Sequence, residues 1–300
     1  MNRALLASLS AAALFHAASS FAGSAAYDFK TVDYPGATQT IVFAINDLGQ
    51  AVGQYTDAAK ATHGFEVQGG HFTRLDASGV LAKSTSSHTY ALNNVGDIAG
   101  SYADASNVLH GVILHEGTIL PVQYPNGLPT EAYGVNDWGQ VIGVYSTDDG
   151  NLHAFQHSLF TGTYVSTDIP GALTTVPLSI NDRGETVGYY LTVAGTTGQG
   201  FIRAPDGTVK TYDVPGALPN STFLISVNNL DAWVGGDTDA AGNVTNLLIK
   251  GNNVQTLELP ASFGASYQSF QTINDEGAIV GYYNDAAGLS HGFLAAPQRH

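Results

Sequence analysis

The sequence predicts an all-β fold, a six-bladed β-propeller with four strands per blade, closed by pairing of the N-terminal strand with the last blade. Three observations predict it. A turn motif recurs six times, a glycine follows every copy at a fixed offset, and the two ends of the chain carry complementary parts of one repeat.

The turn motif is an apolar residue, Asn, Asp or Asn, any residue, and usually Gly, as in Ile45-Asn46-Asp47-Leu48-Gly49. It returns at Asn93, Asn136, Asn181, Asn228 and Asn274, at intervals of 43 to 47 residues. The fixed glycines are Gly53, Gly100, Gly143, Gly188, Gly235 and Gly281. Asn, Asp and Gly accept the positive φ that tight hairpin turns need, so each motif reads as the turn between strands a and b of a blade. In the fifth copy Asp231 holds the place of the Gly.

Strand a leads into the Asn, as in 40–46. Strand b is an x-Val-Gly-x-Tyr segment, with Tyr55, Tyr102, Tyr145, Tyr190 and Tyr283 after the glycine. A loop rich in Asp and Gly follows. Strand c opens with His63-Gly64-Phe65, His110-Gly111-Val112, His153-Ala154-Phe155 or His291-Gly292-Phe293. The fourth copy has Gln199-Gly200-Phe201, and the fifth, Asn246-Leu247-Leu248, has drifted most. Strand d ends in an acid, an apolar residue, Pro and Gly, as in Asp33-Tyr34-Pro35-Gly36 and Asp168-Ile169-Pro170-Gly171. Proline lacks a ladder donor and so suits a sheet edge. Four strands in about 46 residues make one propeller blade, whereas solenoid coils are usually shorter.

The ends then fit a ring. The segment 29–35 is an isolated strand d and 291–295 is a strand c lacking its partner. Pairing them closes the ring and hides edges that an open stack would expose.

Residues 1–26 read as an export signal. Arg3 precedes an apolar run from Leu5 to Ala18, and the small residues Ala22 to Ala26 offer a cleavage site. The run is shorter than the roughly 20 apolar residues of a membrane helix. The propeller is therefore expected to occupy 27–300, as a secreted or periplasmic monomer with no membrane span after cleavage. The chain has no cysteine, which removes disulfides and thiolate chemistry together. Its 25 acidic against 10 basic residues give a net charge of −15, which repels nucleic acid and favours cations or basic ligands.

The repeats resemble the extracellular HAF repeat family, named for a His-Ala-Phe motif that His153-Ala154-Phe155 reproduces. The resemblance runs from about Tyr27 to Pro297 and rests on the repeated Ile-Asn-Asp-x-Gly-x-x-Val-Gly-x-Tyr pattern. It implies an exported bacterial repeat protein and carries no established activity with it. The sorting segment seen at the end of many members has no counterpart at Gln298-Arg299-His300.

The a–b and c–d turns share one face of the disc, and the b–c and d–a connections share the other. The a–b turns are uniform, and the b–c loops are expected to vary, so ligand binding is expected on the b–c and d–a face. Its candidate residues are Asp57, Asp104, Asp148, Asp149, Asp237, Asp239 and Asp285, with Asp33, Asp168, Asp213 and Glu258 ahead of the d–a connections. Several hard oxygens together suit Ca²⁺, and the segment 237–243 resembles part of a calcium loop without its closing Glu. A solvated acidic rim is the simpler reading.

Asn46, Asn93, Asn136, Asn181, Asn228 and Asn274 are expected to serve turn chemistry. The competing reading gathers them with Asp47, Asp137, Asp182 and Asp275 around a cation at the channel mouth. His63, His110, His153 and His291 hold the same place in four of the six blades, too far apart to meet on one ion. A hydrogen bond to a loop Asp or carbonyl is expected instead. Trp138 and Trp233 sit at or just after a–b turns. Both suit sugar stacking, but blade packing is the stronger expectation for each.

No nucleophile elbow, phosphate loop or zinc spacing is present. The expected function is a non-enzymatic binding module for a glycan, a basic protein or Ca²⁺. The alternatives are an extracellular hydrolase or lyase, acting on a polysaccharide or lactone with carboxylates at the channel mouth, and a structural matrix component.

Overall fold

The computed structural model describes residues 27–75, 84, 86–125, 129–192 and 198–298. The expected export signal lies outside the described residues. Six four-stranded antiparallel sheets form a ring. Blade 1 is β2 (Gln39–Ile45), β3 (Ala51–Thr56), β4 (Thr62–Gln68) and β5 (His71–Arg74). Blades 2 to 5 repeat this order as β6–β9 within 86–122, β10–β13 within 130–166, β14–β17 within 174–212 and β18–β21 within 222–256. Blade 6 is β22 (Tyr267–Ile273), β23 (Ile279–Asn284) and β24 (Ser290–Pro297), with β1 (Tyr27–Val32) paired outside β24. Tyr27 lies opposite Pro297 and Val32 opposite Gly292, so the first strand completes the last sheet. A 3-10 turn, Ala261–Phe263, is the helical element among the described residues, none of which form a helix able to cross a membrane.

The innermost strands contact one another around the channel. Each carries a bulge at one place: the register with strand b shifts across Phe43, Tyr90, Tyr133, Leu178, Ile225 and Gln271. Opposite the bulge lies the fixed glycine. A Cβ on Gly53 would stand 2.1 Å from the Ile41 carbonyl oxygen, and one on Gly143 would stand 2.0 Å from that of Glu131. The two backbones are too close for any side chain, which is why the repeat keeps glycine there.

The hydrophobic core lies between blades rather than within them. Phe65, Phe155, Phe201 and Phe293, all from strand c, are fully buried. One cluster joins Val234 and Leu248 of blade 5 to Phe270 and Phe293 of blade 6. Another joins Val280 of blade 6 to Val42 and Phe65 of blade 1, across the closure. The d–a connections staple this packing. Tyr34 stacks on Tyr55 and Tyr124 on Tyr145, each pair at 3.7 Å and nearly parallel.

Five b–c connections share one turn although their sequences differ. Lys60, Asn107, Gly150, Gly242 and Gly288 each donate a main-chain N–H to the carbonyl three residues back. All five have positive φ, as Gly49 does in its a–b turn. A two-strand hairpin under uniform blade twist selects one turn geometry, whatever its sequence. The fourth b–c connection, from Leu191 to Gln199, is longer than the first, from Thr56 to Thr62, as its sequence leads one to expect, and most of it lies outside the described residues. The d–a connections vary as well, from 33–38 to 257–266.

Candidate functional site

The a–b turns build the channel mouth. Asn46 accepts the Leu48 and Gln50 main-chain N–H groups on Oδ1 (3.1 and 3.0 Å), which closes its own turn. Its Nδ2 then crosses to the next blade and donates to the Asn93 carbonyl at 3.0 Å. Asn93 does the same to Asn136, Asn136 to Asn181, Asn181 to Asn228, Asn228 to Asn274, and Asn274 to Asn46. All six side chains are buried. The turn residue and the ring residue are thus one group, with the acceptor spent inside the blade and the donor between blades.

The next residue in each turn makes a second ring. The main-chain N–H of Asp47 donates to Asn94 Oδ1, that of Asn94 to Asp137, Asp137 to Asp182, Asp182 to Asn229, Asn229 to Asp275, and Asp275 to Asp47, all between 2.7 and 2.9 Å. The two amides also bridge their neighbours. Asn94 Nδ2 donates to Asp47 and Asp137, and Asn229 Nδ2 to Asp182 and Asp275. Two boundaries, Asp137/Asp182 and Asp275/Asp47, therefore set carboxylate beside carboxylate with no side-chain amide between. Burial first, and then the charges of Asp182 and Asp47, push the Asp137 carboxyl up. The mouth leads into a channel of about 100 Å³, lined also by Tyr90 and Leu178. Among the described residues no three His, Asp or Glu side chains form a group able to hold a metal ion.

Around this polar mouth the turns project apolar side chains into solvent. Leu48, Val95, Trp138 and Leu230 occupy the same place in four turns and are 60–68% exposed. Arg183 holds that place in the fourth turn and pairs with Asp231, whose φ of 57° lets it stand in for the missing glycine. Phe160, from the c–d turn of blade 3, is 81% exposed, and its ring lies against Gly139, next to Trp138. The expectation that Trp138 packs in the blade is corrected: the side chain leaves from the third residue of a turn that points off the disc. Trp233 does pack, against the cluster of Val187, Leu247 and Ile249 and beside the Tyr212 ring, and donates Nε1 to Glu185.

On the opposite face the candidate acids are occupied with loop closure. Asp57 Oδ1 accepts the Ala61 N–H, Asp104 those of Ser106 and Val108, Asp239 those of Ala241 and Asn243, and Asp285 those of Ala287 and Leu289. These bonds to the ionised form hold all four carboxyls below their ordinary range, with the His63 bond the largest cause for Asp57 and the Asn243 side chain for Asp239. Asp149 bonds Thr147 and Asn151 and is lowered to about 2. Asp148 is exposed, and half-buried Asp237 is pushed up mainly by burial.

The histidines are clamps. His63 Nε2 meets Asp57 and His110 Nε2 meets Asp104, both at 3.1 Å, while His153 Nδ1 meets Asp168 at 3.0 Å. His291 lies between Asp33 (2.8 Å) and Asp285 (3.6 Å). Each ring packs on the strand b tyrosine of its blade at 5.0 to 5.3 Å. Each clamp belongs to its own blade.

Sequence reasoning passed over Glu131. It is buried in β10 and accepts bonds from Tyr90 (2.9 Å), Tyr133 (3.3 Å) and Ser101 (3.4 Å). Burial raises its carboxyl pKa, against the pull of those three bonds. The signal was an acid at a repeat position held elsewhere by Ile41, His88, Val176, Phe223 and Ser269.

No family model and no curated protein sequence matches this chain. Solved structures match its fold. A mutant of the Aleuria aurantia lectin in complex with Fucα1-6GlcNAc has a TM-score of 0.54 at 12% identity, over 86% of this chain and 91% of that one. AofleA from Arthrobotrys oligospora has a TM-score of 0.56 at 12% identity, over 92% and 88%. A TolB from Agrobacterium tumefaciens has a TM-score of 0.56 at 14% identity, over 73% and 81%. At such identity these likenesses establish the propeller and nothing finer.

Proposed function

We propose that this chain is an exported glycan-binding module that works without catalysis, and that sugar is taken up on the a–b and c–d turn face around Trp138. The observation that carries the reading is the exposed pair Trp138 and Phe160 beside a ring of carboxylates and amides. A sugar needs an aromatic surface for its apolar C–H face and fixed acceptors for its hydroxyls, and this corner supplies both. The lectin among the fold neighbours, solved with a fucose-containing disaccharide, supports a glycan as the class of ligand.

This reading moves the binding face from the one expected by loop variability. The acids there are occupied in closing hairpins and holding histidines, so little of their bonding capacity remains for a ligand.

The test is a glycan panel probed with the protein and with Trp138→Ala. Binding of at least one glycan, weakened ten-fold or more by the substitution at unchanged melting temperature, is the expected result. Equal binding by the variant would move the site elsewhere. Release of new reducing ends during incubation would assign the hydrolase reading.

A further inference from the structure

We propose that the glycan taken on this face carries free amino groups: its ring lies on Trp138 and Phe160, and an ammonium sits between Asp137 and Asp182. The inference rests on the glycan reading above and names the class of sugar.

The exposed aromatic and aliphatic rim is the docking surface, and charge selects what covers it. Four carboxylates stand in the second ring, and the two amides between them neutralise nothing. Among the residues at the six turn tips the basic one is Arg183, and its guanidinium is turned to Asp231. The whole chain carries −15. A neutral sugar would leave that field uncompensated, and an acidic sugar would be repelled by it.

The position of the charge matters as much as its amount. Asp137 and Asp182 are linked only by the Asp137 main-chain N–H, at 2.8 Å, with no side-chain donor between them. An ammonium placed there donates to both carboxylates in charge-assisted bonds. The same boundary carries the aromatic platform, because Trp138 follows Asp137 in its turn and Phe160 packs against Gly139. The other carboxylate pair, Asp275 and Asp47, is flanked by Glu276 and Leu48 and has no aromatic neighbour in its turns. A bare metal ion is a poorer fit, since among the described residues no three carboxylates close on one point. An organic ammonium satisfies two at a time and brings a ring for the tryptophan, which also favours a cation over its face.

The probe is a β-1,4-linked glucosamine tetramer, set against its fully N-acetylated counterpart and a tetralysine peptide. Affinities are measured by calorimetry near pH 6, at low and at physiological salt. The glucosamine tetramer should bind at least ten-fold tighter than the acetylated one and weaken as salt rises. Asp182→Asn should reduce its binding ten-fold or more, measured well below the melting temperature of both proteins. The Asn oxygen keeps the Asp137 N–H, but its amide meets Asn229 Nδ2 donor to donor, so a lower melting temperature is expected; a variant that still unfolds cooperatively and binds as the parent does would overturn the placement of the ammonium. Trp138→Ala should weaken binding similarly. Equal binding of both tetramers would overturn the amino-sugar inference and leave the glycan reading standing. Equal binding of tetralysine, indifferent to Trp138→Ala, would make the surface a basic-peptide site and overturn the inference. Failure of every glycan on the wider panel would remove the glycan reading itself.

Discussion

Asn274 donates its side-chain amide to the main-chain carbonyl of Asn46 at 2.9 Å, across a sequence separation of 228 residues. The bond is the sixth of a set whose other five join consecutive blades, and it is no longer than they are. The closing boundary is therefore built like the others, which a ring needs if strain is not to collect at one seam.

The ring amides are expected to differ in worth by the bonds each makes. Asn46 also donates to Gln50 Oε1 at 2.8 Å, while the equivalent place in blade 5 is Ala232. Asn46→Ala removes the acceptor of the Leu48 and Gln50 N–H groups and one of the two bonds on the Asn93 carbonyl, a loss of about 2–4 kcal/mol. Asn228→Ala should cost about 1 kcal/mol less. Urea titration of the two variants measures this. Equal midpoints at equal slope would mean that the Gln50 bond adds nothing.

Glycine at the fixed position is expected to be irreplaceable even by alanine. At Gly143 the added methyl would meet both the Glu131 carbonyl and the Phe155 ring, at 2.0 and 2.9 Å. Relief requires parting strands a and b at the bulge. Gly143→Ala should cost about 3 kcal/mol or more by overpacking. A melting temperature within about 3 °C of the parent would show that the strands yield freely.

The His291 clamp is expected to respond to pH. Partial burial pulls the imidazole pKa down, but the bonds and charges of Asp33 and Asp285 outweigh it, so the folded value is raised. A raised folded pKa gives stability that is complete below the unfolded value of about 6.5 and fades as pH rises through the folded one. Asp33 follows β1 and His291 lies in β24, so this stability sits on the closing blade. The difference in melting temperature between the parent and Asp33→Asn should be largest near about pH 5.5 and shrink by about pH 8. Taking the difference cancels His115, which is raised in the same sense by Asp97. A gap constant across that range would show that the pair acts without charge.

The blade order, the closing strand and the turns were legible because each repeats, and a repeated residue must serve something every blade shares. Asn46 and Gly53 are such cases. The reach of the Asn46 amide into the next blade was not legible, since turn propensity alone already accounts for Asn there. Trp138 misled for a related reason. A residue in a conserved turn was taken for packing, yet its place in the turn varies among Leu48, Val95, Arg183, Leu230 and Glu276, and that variation was itself the mark of exposure. The b–c loops hid a shared form behind their variation. Their sequences differ while the φ of the closing residue does not, so Lys60 and Gly288 make one turn.

Glu131 carries the last prediction. Its carboxyl is buried in β10 and raised in pKa by desolvation, so its charge is a cost that appears as pH rises through the folded value and is absent below the unfolded one. Glu131→Gln keeps an acceptor for one phenol, turns an amide N–H to the oxygen of the other, and removes that charge, so at about pH 8 the variant should melt at or above the parent temperature. Glu131→Ala instead leaves two phenols and the Ser101 hydroxyl without their acceptor and opens a void, at a cost of about 3 kcal/mol. Lowering the pH should narrow the gap between parent and Glu131→Gln, because the parent then takes up its own proton. A Glu131→Gln protein that melts well below the parent at every pH would show the anion to be needed, and would move the group from a cost of the fold to part of a site.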